Sequence, residues 1–516
     1  MLRAESYKKG ILFSTGFNVL NKGLAFVNNL AIAYFFGTQL SVDVYFYTFN
    51  TIILLVTYLN SVNVGVLVPE SMKIRASGHP EKAFSFFNVF IAGYVLLTAL
   101  LCAIAWINPI GIFTSLSKFD KVVLEQEFTL MLWVIPLLML ISITNLLTEI
   151  IVSYRFFSMP MIAGSINSTL SFVMLLVFHD RWGMLSVVAG LIISHCLNIG
   201  LLVLIMLRGL HWKFSFVWVK IDKKVWQNIG MAQLGNLATV LSAYAPLYLL
   251  SGFPGGVVAA FNYAQQIVVQ PTNLLTNQFA SVSRIRINEL YVSKDYSGLN
   301  RVLASTIRFL LFLLVPVCGI LFLFPEQVVT VLLKRGSFSS QSVADVSVFL
   351  RFLALSVPFT AVWSIVSNLF VSAQLIKQSV WYQIFNNLLL IAFTYLGLQW
   401  LGKEGYPLAY LAINVMNVLA VQWFCKRYFP YIKYSVVLRY ILLLVLLMVV
   451  ILGGIWFIRI PAWLPGGLPQ LLLASLLAMG LLLMANRFFY ICPEINDLFH
   501  KVRVKFLGNR EEPPQP

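Results

Sequence analysis

The feature that most constrains this chain is a succession of apolar runs, most at or above the roughly 20 residues that an α-helix needs to cross a bilayer. They fall at 11–36, 42–69, 84–107, 127–153, 157–179, 184–207, 228–252, 256–282, 302–325, 344–373, 379–401, 406–425, 435–458 and 466–488. Composition agrees: only 11% of the 516 residues are charged and 59% are hydrophobic, whereas soluble domains carry about 25% charged residues. The expected fold is an all-α polytopic membrane protein with about 14 transmembrane helices, because a helix satisfies its own backbone within lipid. The opening MLRAESYKKG has the basic flank of a secretory signal. The apolar run after it is too long and too polar for one, so the first span is expected to stay in the mature protein.

A formal charge of +17 could suggest a nucleic-acid partner, so its placement decides. If the N-terminus is cytoplasmic and the helices alternate, most of the 36 Lys and Arg gather on one side. Lys73, Arg75 and Lys82 lie there, as do Arg208, Lys213, Lys220, Lys223 and Lys224 in the longest linker. The basicity is then topological: both termini are expected to be cytoplasmic, membrane lipids are the expected surroundings, and no nucleic acid is implied. The five cysteines lie far apart with no CxxC spacing, and the five histidines show no HxxxH or HExxH spacing, so no metal or other cofactor is expected. Without a GxxxxGK[ST] loop the chain is not expected to hydrolyse ATP.

Internal similarity sets the domain plan. IVSYRFFSMPMIAGSINSTLSF after the fourth span parallels LFVSAQLIKQSVWYQIFNNLLL after the tenth, pairing Ser153 with Ser372 and Asn167 with Asn386 at one common offset. A repeat of six helices keeps its orientation in the membrane, so two six-helix lobes are expected as a parallel pseudo-repeat, with a substrate site at their interface. The expected divisions are a first lobe at 1–209, a basic cytoplasmic linker at 210–227, a second lobe at 228–428, a C-terminal helix pair at 429–490 and a cytoplasmic tail at 491–516. The helix pair lacks polar stripes and reads as lipid-facing.

Against that apolar background the polar residues are few and aligned. In NVLNKGLAFVNNLAIAYFFG, Asn18, Lys22 and Asn29 share a helical face, flanked by Asn21 and Asn28. Asp43, Asn50 and Thr57 form a line in the second span; Gln266, Gln270 and Asn273 recur on one side of the eighth, with Asn262 and Asn277. Facing lipid, such stripes would be costly, so Lys22, Asn18, Asn28, Asn29, Asp43, Asn50, Gln266, Gln270 and Asn273 are the expected lining of a hydrophilic cavity. The alternative for any single amide is a hydrogen bond to a neighbouring helix, and for Lys22 an ion pair with Asp43 or Glu149. A lysine among amides suits an anionic, hydroxyl-rich ligand. Arg308 and Arg351 near span ends are expected to snorkel to the interface, and Pro136, Pro271, Pro316 and Pro358 to kink their spans.

FFGTQLSVDVYFYTFN resembles the FGA-x(4)-DAFF-x-AF stretch of the MurJ (MviN) lipid II flippase family, LLKRGSFSSQSV resembles that family's RG-x-F loop before span ten, and NYAQQIVVQPTNLL is similar to its YA-x-R segment. The likeness runs weakly over nearly the whole chain. It implies a member of the multidrug/oligosaccharidyl-lipid/polysaccharide exporter superfamily that moves a lipid-linked glycan between leaflets by alternating access. It also implies a bacterial cytoplasmic membrane location, and cell-wall or polysaccharide synthesis machinery as partner. The sequence departs from the family pattern with Asn28-Asn29 where an Arg-Asp pair is usual, Gln266 where an arginine is usual, and an apolar residue near Val56; Lys22 stands about where another family arginine does. Amides such as Asn236, Gln383 and Asn387 replace the acidic cation ligands. The resulting expectation is a flippase, not an enzyme, for a polyprenyl-diphosphate-linked saccharide, either lipid II-like or a polysaccharide repeat unit. The alternative is a cation-coupled small-molecule antiporter of the same superfamily, for which only Asp43 and Glu149 offer a carboxylate. A membrane-embedded glycosyltransferase would need more than Asp120, Glu125 and Glu326 on its loops.

Overall fold

The computed structural model describes residues 7–77, 80–214, 222–373, 375–457 and 467–497, and its regular secondary structure is helical. Its long helices track the apolar runs: α1 Tyr7–Phe36, α2 Leu40–Val62, α3 Pro80–Ile107, α4 Leu137–Ser153, α5 Ser158–Trp182, α6 Leu185–Gly209 and α7 Lys223–Leu250. There follow α8 Val257–Val292, α9 Tyr296–Leu323, α10 Ser340–Ser372, α11 Ile376–Leu401, α12 Gly405–Tyr428, α13 Tyr434–Phe457 and α14 Leu468–Phe489. By length and composition 11 stretches among the described residues qualify as spans, one of which, Lys377–Tyr428, holds both α11 and α12 around the turn Gly402–Glu404. Helices α7 and α8 do not qualify, and in α8 only Val257–Val269 is apolar enough to register as a shorter helix. About 14 spans is compatible with this arrangement.

Departures from regular helix have local causes. The fourth run is split into Phe128–Val134 and α4 at Pro136, which lacks an N–H and crowds the preceding turn. Pro246, Pro316 and Pro358 instead lie inside the continuous helices α7, α9 and α10. The side chain of Pro271 lies outside the described residues. Helix α2 passes through a π-helical turn, Asn63–Leu67, into Val68–Ala76. There the Tyr94 hydroxyl of α3 sits 2.7 Å from both the Leu59 carbonyl and Asn63 Oδ1, a side-chain insertion of the kind that disturbs a helical ladder.

The chain packs into two compact units. The first holds residues up to Gln266 together with Leu333–Val346 and Val380–Tyr406, so it interleaves the sequence rather than following the lobes at 1–209 and 228–428. Its core includes Phe86, Phe87, Leu147, Ile150, Met206 and Trp212. Trp212 is positioned by donating its indole N–H to Asn88 Oδ1 at 2.8 Å. At the same end Arg75 donates to the Ser153 carbonyl at 3.1 and 3.2 Å and stacks over Tyr154, placing a cation on the unsatisfied carbonyls that end α4.

The second unit holds Ile267–Leu332, Ser347–Ser379 and Pro407 onward. Arg284 Nε donates to Asn368 Oδ1 at 2.9 Å, joining α8 to α10. Asn300 donates to Tyr431 O and accepts from Lys433 N–H, at 2.8 and 2.7 Å. Helix α13 buries Val437, Ile441, Leu444, Met448 and Leu452 along one side while Leu442, Leu446 and Val450 remain exposed, the pattern of a helix with one packed and one lipid-facing side. The packed side adjoins an apolar cavity of about 590 Å³ lined also by α9, α10 and α12, so α13 has a packing role in addition to a lipid-facing one. Arg308, expected to snorkel, is paired with Glu494 at 2.5 Å. Arg351 is exposed.

Candidate functional site

Within the first unit the membrane-embedded charges Asp43 and Lys22 mark two different environments. Asp43, one turn into α2, is 1% exposed. Its Oδ2 accepts the Gly256 N–H at 2.5 Å and its Oδ1 the Ala259 N–H at 2.6 Å. Those amides belong to the N-terminus of α8, where the first N–H groups have no intrahelical acceptor and the helix dipole favours an anion. Asp43 therefore ties the start of α2 to the start of α8, and its carboxylate is occupied by backbone.

The chain around Asp43 reinforces the tie. Helix α1 ends at Gly37, whose φ of +59° is the left-handed cap that glycine adopts at no steric cost. A Cβ there would lie 2.5 Å from the Ser337 carbonyl. Ser337 donates its N–H to Tyr34 O and its hydroxyl to Phe35 O, both at 2.8 Å, so the RGSF loop satisfies carbonyls at the end of α1. Tyr263 of α8 donates to Gly37 O at 2.9 Å, and Thr38 Oγ1 lies 2.8 Å from Ser342 Oγ. The α1–α2 turn, the start of α8 and the loop before α10 are thus sewn into one seal. The sequence motifs quoted above mark all three pieces, but their partners are mostly backbone atoms more than 200 positions apart in Asp43's case, which no local pattern reveals.

The α1 stripe is looser and divides in two. Asn21 donates to Met161 O at 3.2 Å and accepts from the Ser165 hydroxyl at 2.6 Å. Asn28 Nδ2 lies 3.4 Å from Ser171 Oγ, so both asparagines face α5. Asn18 is exposed, Lys22 half-buried, and Asn29 half-buried with its amide donating to Ala25 O of its own helix at 2.9 Å. Neither Asp43 nor Glu149, the two carboxylates weighed as partners, pairs with Lys22, which makes no ion pair or hydrogen bond among the described residues.

Asn50 on α2 and Gln266 on α8 are half-buried. Gln270 and Asn273 continue along α8, and their side chains lie outside the described residues. On α7 and α11, Gln383 and Asn387 donate to Thr239 Oγ1 at 2.9 and 3.1 Å, and Asn387 Oδ1 accepts from the Ser242 hydroxyl at 2.9 Å. These amides are thus held by the Thr239 and Ser242 hydroxyls of α7. Among the described residues no three His, Cys, Asp or Glu side chains come together as metal ligands.

Comparisons with known proteins add the remaining finding. A family model described as lipid II flippase MurJ matches residues 32–475. A probable lipid II flippase MurJ of Borreliella burgdorferi is 24% identical over 422 residues, covering 80% of this chain and 81% of the relative. One from Buchnera aphidicola subsp. Acyrthosiphon pisum is 22% identical, covering 70% and 72%. A solved structure of lipid II flippase MurJ in an inward closed conformation superposes with a TM-score of 0.78 at 17% identity, covering 95% of this chain and all of that one. An inward-facing multidrug resistance MATE family transporter of the MOP superfamily gives 0.66 at 15% identity, covering 78% and 94%. These structural likenesses concern the fold.

Proposed function

The chain belongs to the lipid II flippase MurJ family, and from that premise we propose that it moves a polyprenyl-diphosphate-linked saccharide across the bacterial cytoplasmic membrane by alternating access, with both termini cytoplasmic. The observation that carries the substrate chemistry is Lys22, a half-buried ammonium within a membrane helix with no carboxylate partner among the described residues. An isolated charge at such depth is costly, and membrane proteins keep one where it meets a ligand or water. A diphosphate supplies the missing anion through charge-assisted hydrogen bonds. Asn18, Asn29, Asn50 and Gln266, each with exposed surface, supply amides for saccharide hydroxyls. Gln270 and Asn273 extend that stripe along the sequence of α8.

Asp43 and Asn28 take structural parts in this reading. The Asp43 seal holds one end of the first unit shut, and transport requires it to open, exposing the α8 amides to water, which then replaces the carboxylate as their partner. The lobes at 1–209 and 228–428 are the bodies that separate, since the seal joins elements from both. The chain acts as a transporter rather than an enzyme, and its neighbours are the membrane and the machinery that makes and uses the lipid-linked saccharide.

The test is depletion of the protein in cells followed by lipid extraction, with rescue by wild type and by Lys22→Ala. Accumulation of a diphosphate-linked saccharide on the inner leaflet, relieved by wild type and not by the variant, is the expected result; whether lipid II or another glycan accumulates identifies the cargo. Absence of any accumulation overturns the flippase reading and leaves the antiporter.

A further inference from the structure

His195 lies in the middle of α6, 7% exposed, and takes no part in the seal or the polar stripes described above. Its ring bridges two other helices. Nδ1 is 3.3 Å from Thr144 Oγ1 of α4, and Nε2 is 3.1 Å from Asn167 Nδ2 of α5. Thr144 already gives its own proton to Leu140 O at 2.8 Å, so its oxygen is free to accept Nδ1–H. The Asn167 amide then donates to Nε2, which fixes the neutral ring in one tautomer. The far end of that amide, Oδ1, takes the Ser194 hydroxyl, and Ser194 has a second acceptor 2.9 Å away in Leu191 O.

This arrangement has a second solution. Turning the Asn167 amide over presents Oδ1 to Nε2 and Nδ2 to Ser194 Oγ, whose hydrogen swings to Leu191 O. Each of these contacts again pairs a donor with an acceptor, but Nε2 now carries a proton. We propose that His195, with Asn167, Ser194 and Thr144, is a proton-binding site, and that the proton it takes from hydronium is the coupling ion of transport. The second half rests on the flippase reading; the first does not.

Charged groups on the packed elements do not engage the ring. Helix α6 itself carries Cys196 and Arg208, α4 carries Glu149, α5 ends in His179, Asp180 and Arg181, and Glu127 precedes Phe128–Val134. None of these hydrogen-bonds or pairs with His195 among the described residues. A buried imidazolium with dipoles but no countercharge is costly, so a proton taken there is held weakly and is given up again. One turn along α6, the buried Asn198 offers a further acceptor, its Oδ1 without a protein partner among the described residues. A purely structural histidine needs only the first of the two hydrogen-bond arrangements.

The experiment uses the full chain with ¹⁵N-labelled histidine in nanodiscs, with Asn167→Asp and His195→Gln variants. Nitrogen shifts of the five histidines are followed with pH, and the resonance absent from His195→Gln is assigned. The expected result is conversion of His195 from the Nδ1–H tautomer to imidazolium as pH falls, with the midpoint raised in Asn167→Asp, where a carboxylate faces Nε2. A ring that stays neutral until the protein unfolds, in both wild type and Asn167→Asp, overturns the site. Proteoliposomes with a fluorescent polyprenyl-diphosphate disaccharide then read coupling: an imposed pH gradient accelerates wild type, and the with/without-gradient ratio falls to about one in His195→Gln. Flipping that ignores the gradient in wild type removes the coupling claim while leaving the flippase; a titrating ring in a protein that flips nothing does the reverse.

Discussion

Asp43 and Lys22 are both charged side chains inside the helices of one compact unit, yet one is held by backbone donors and the other has no partner among the described residues. Asp43 gains two charge-assisted hydrogen bonds and a helix N-terminus, enough to hold a carboxylate out of water. Lys22 gains none of these, and so remains half-buried. The difference separates a charge that holds the fold from one that the fold leaves available. Stability assays should respond to the first and binding assays to the second.

The sharpest way to break that division is Asp43→Ala. Two buried N–H groups of α8 would lose their acceptor, at about 1–3 kcal/mol each, so a fall of roughly 2–6 kcal/mol is expected in denaturation of the purified protein, with loss of cellular rescue. Asp43→Asn, which keeps one acceptor, should fall between. Lys22→Ala comes next: binding of a diphosphate lipid should weaken about 10–100-fold, the worth of a charge-assisted bond of roughly 1.5–3 kcal/mol, while the melting temperature holds or rises. A melting temperature that drops as far as that of Asp43→Ala would mean Lys22 is structural after all.

Smaller effects grade the seal. Ser337→Ala removes one hydroxyl bond to Phe35 O but leaves the N–H bond to Tyr34, and should cost about 0.5–1.5 kcal/mol in the same assay. The mildest contrast is with Asp295, which caps α9 as Asp43 caps α8, but at the surface: its carboxylate accepts the Gly298 N–H at 2.9 Å. That bond holds its carboxyl below the usual carboxylate range. Its stabilisation is present above the unfolded-chain value and is lost as pH falls through the depressed folded one. Asp295→Ala should therefore flatten a slight decline in melting temperature on acidification, measured by fluorescence against wild type.

Helix positions were legible because hydropathy marks them, and even α7 and α8, too polar to qualify as spans, were visible between their flanking apolar runs. The π-turn at Asn63–Leu67 was not, since its causes include a tyrosine hydroxyl from α3. Helical periodicity places the α1 amides by face but cannot tell which neighbour each meets, and Asn28 faces Ser171 of α5. Asp43 showed as a charge in a span; its partners are main-chain amides, to which sequence composition is blind. His195 read as one scattered histidine because its partners come from two other helices.

Transport of a diphosphate-linked lipid rests on Lys22 being a cation reserved for the diphosphate. It is tested most directly by titrating the purified protein with a polyprenyl-diphosphate saccharide and with the neutral polyprenol, comparing wild type, Lys22→Arg and Lys22→Ala. Wild type should prefer the diphosphate, Lys22→Arg should keep most of that preference and Lys22→Ala should lose about tenfold or more of it with the neutral lipid unaffected. Equal preference in wild type and Lys22→Ala would contradict it.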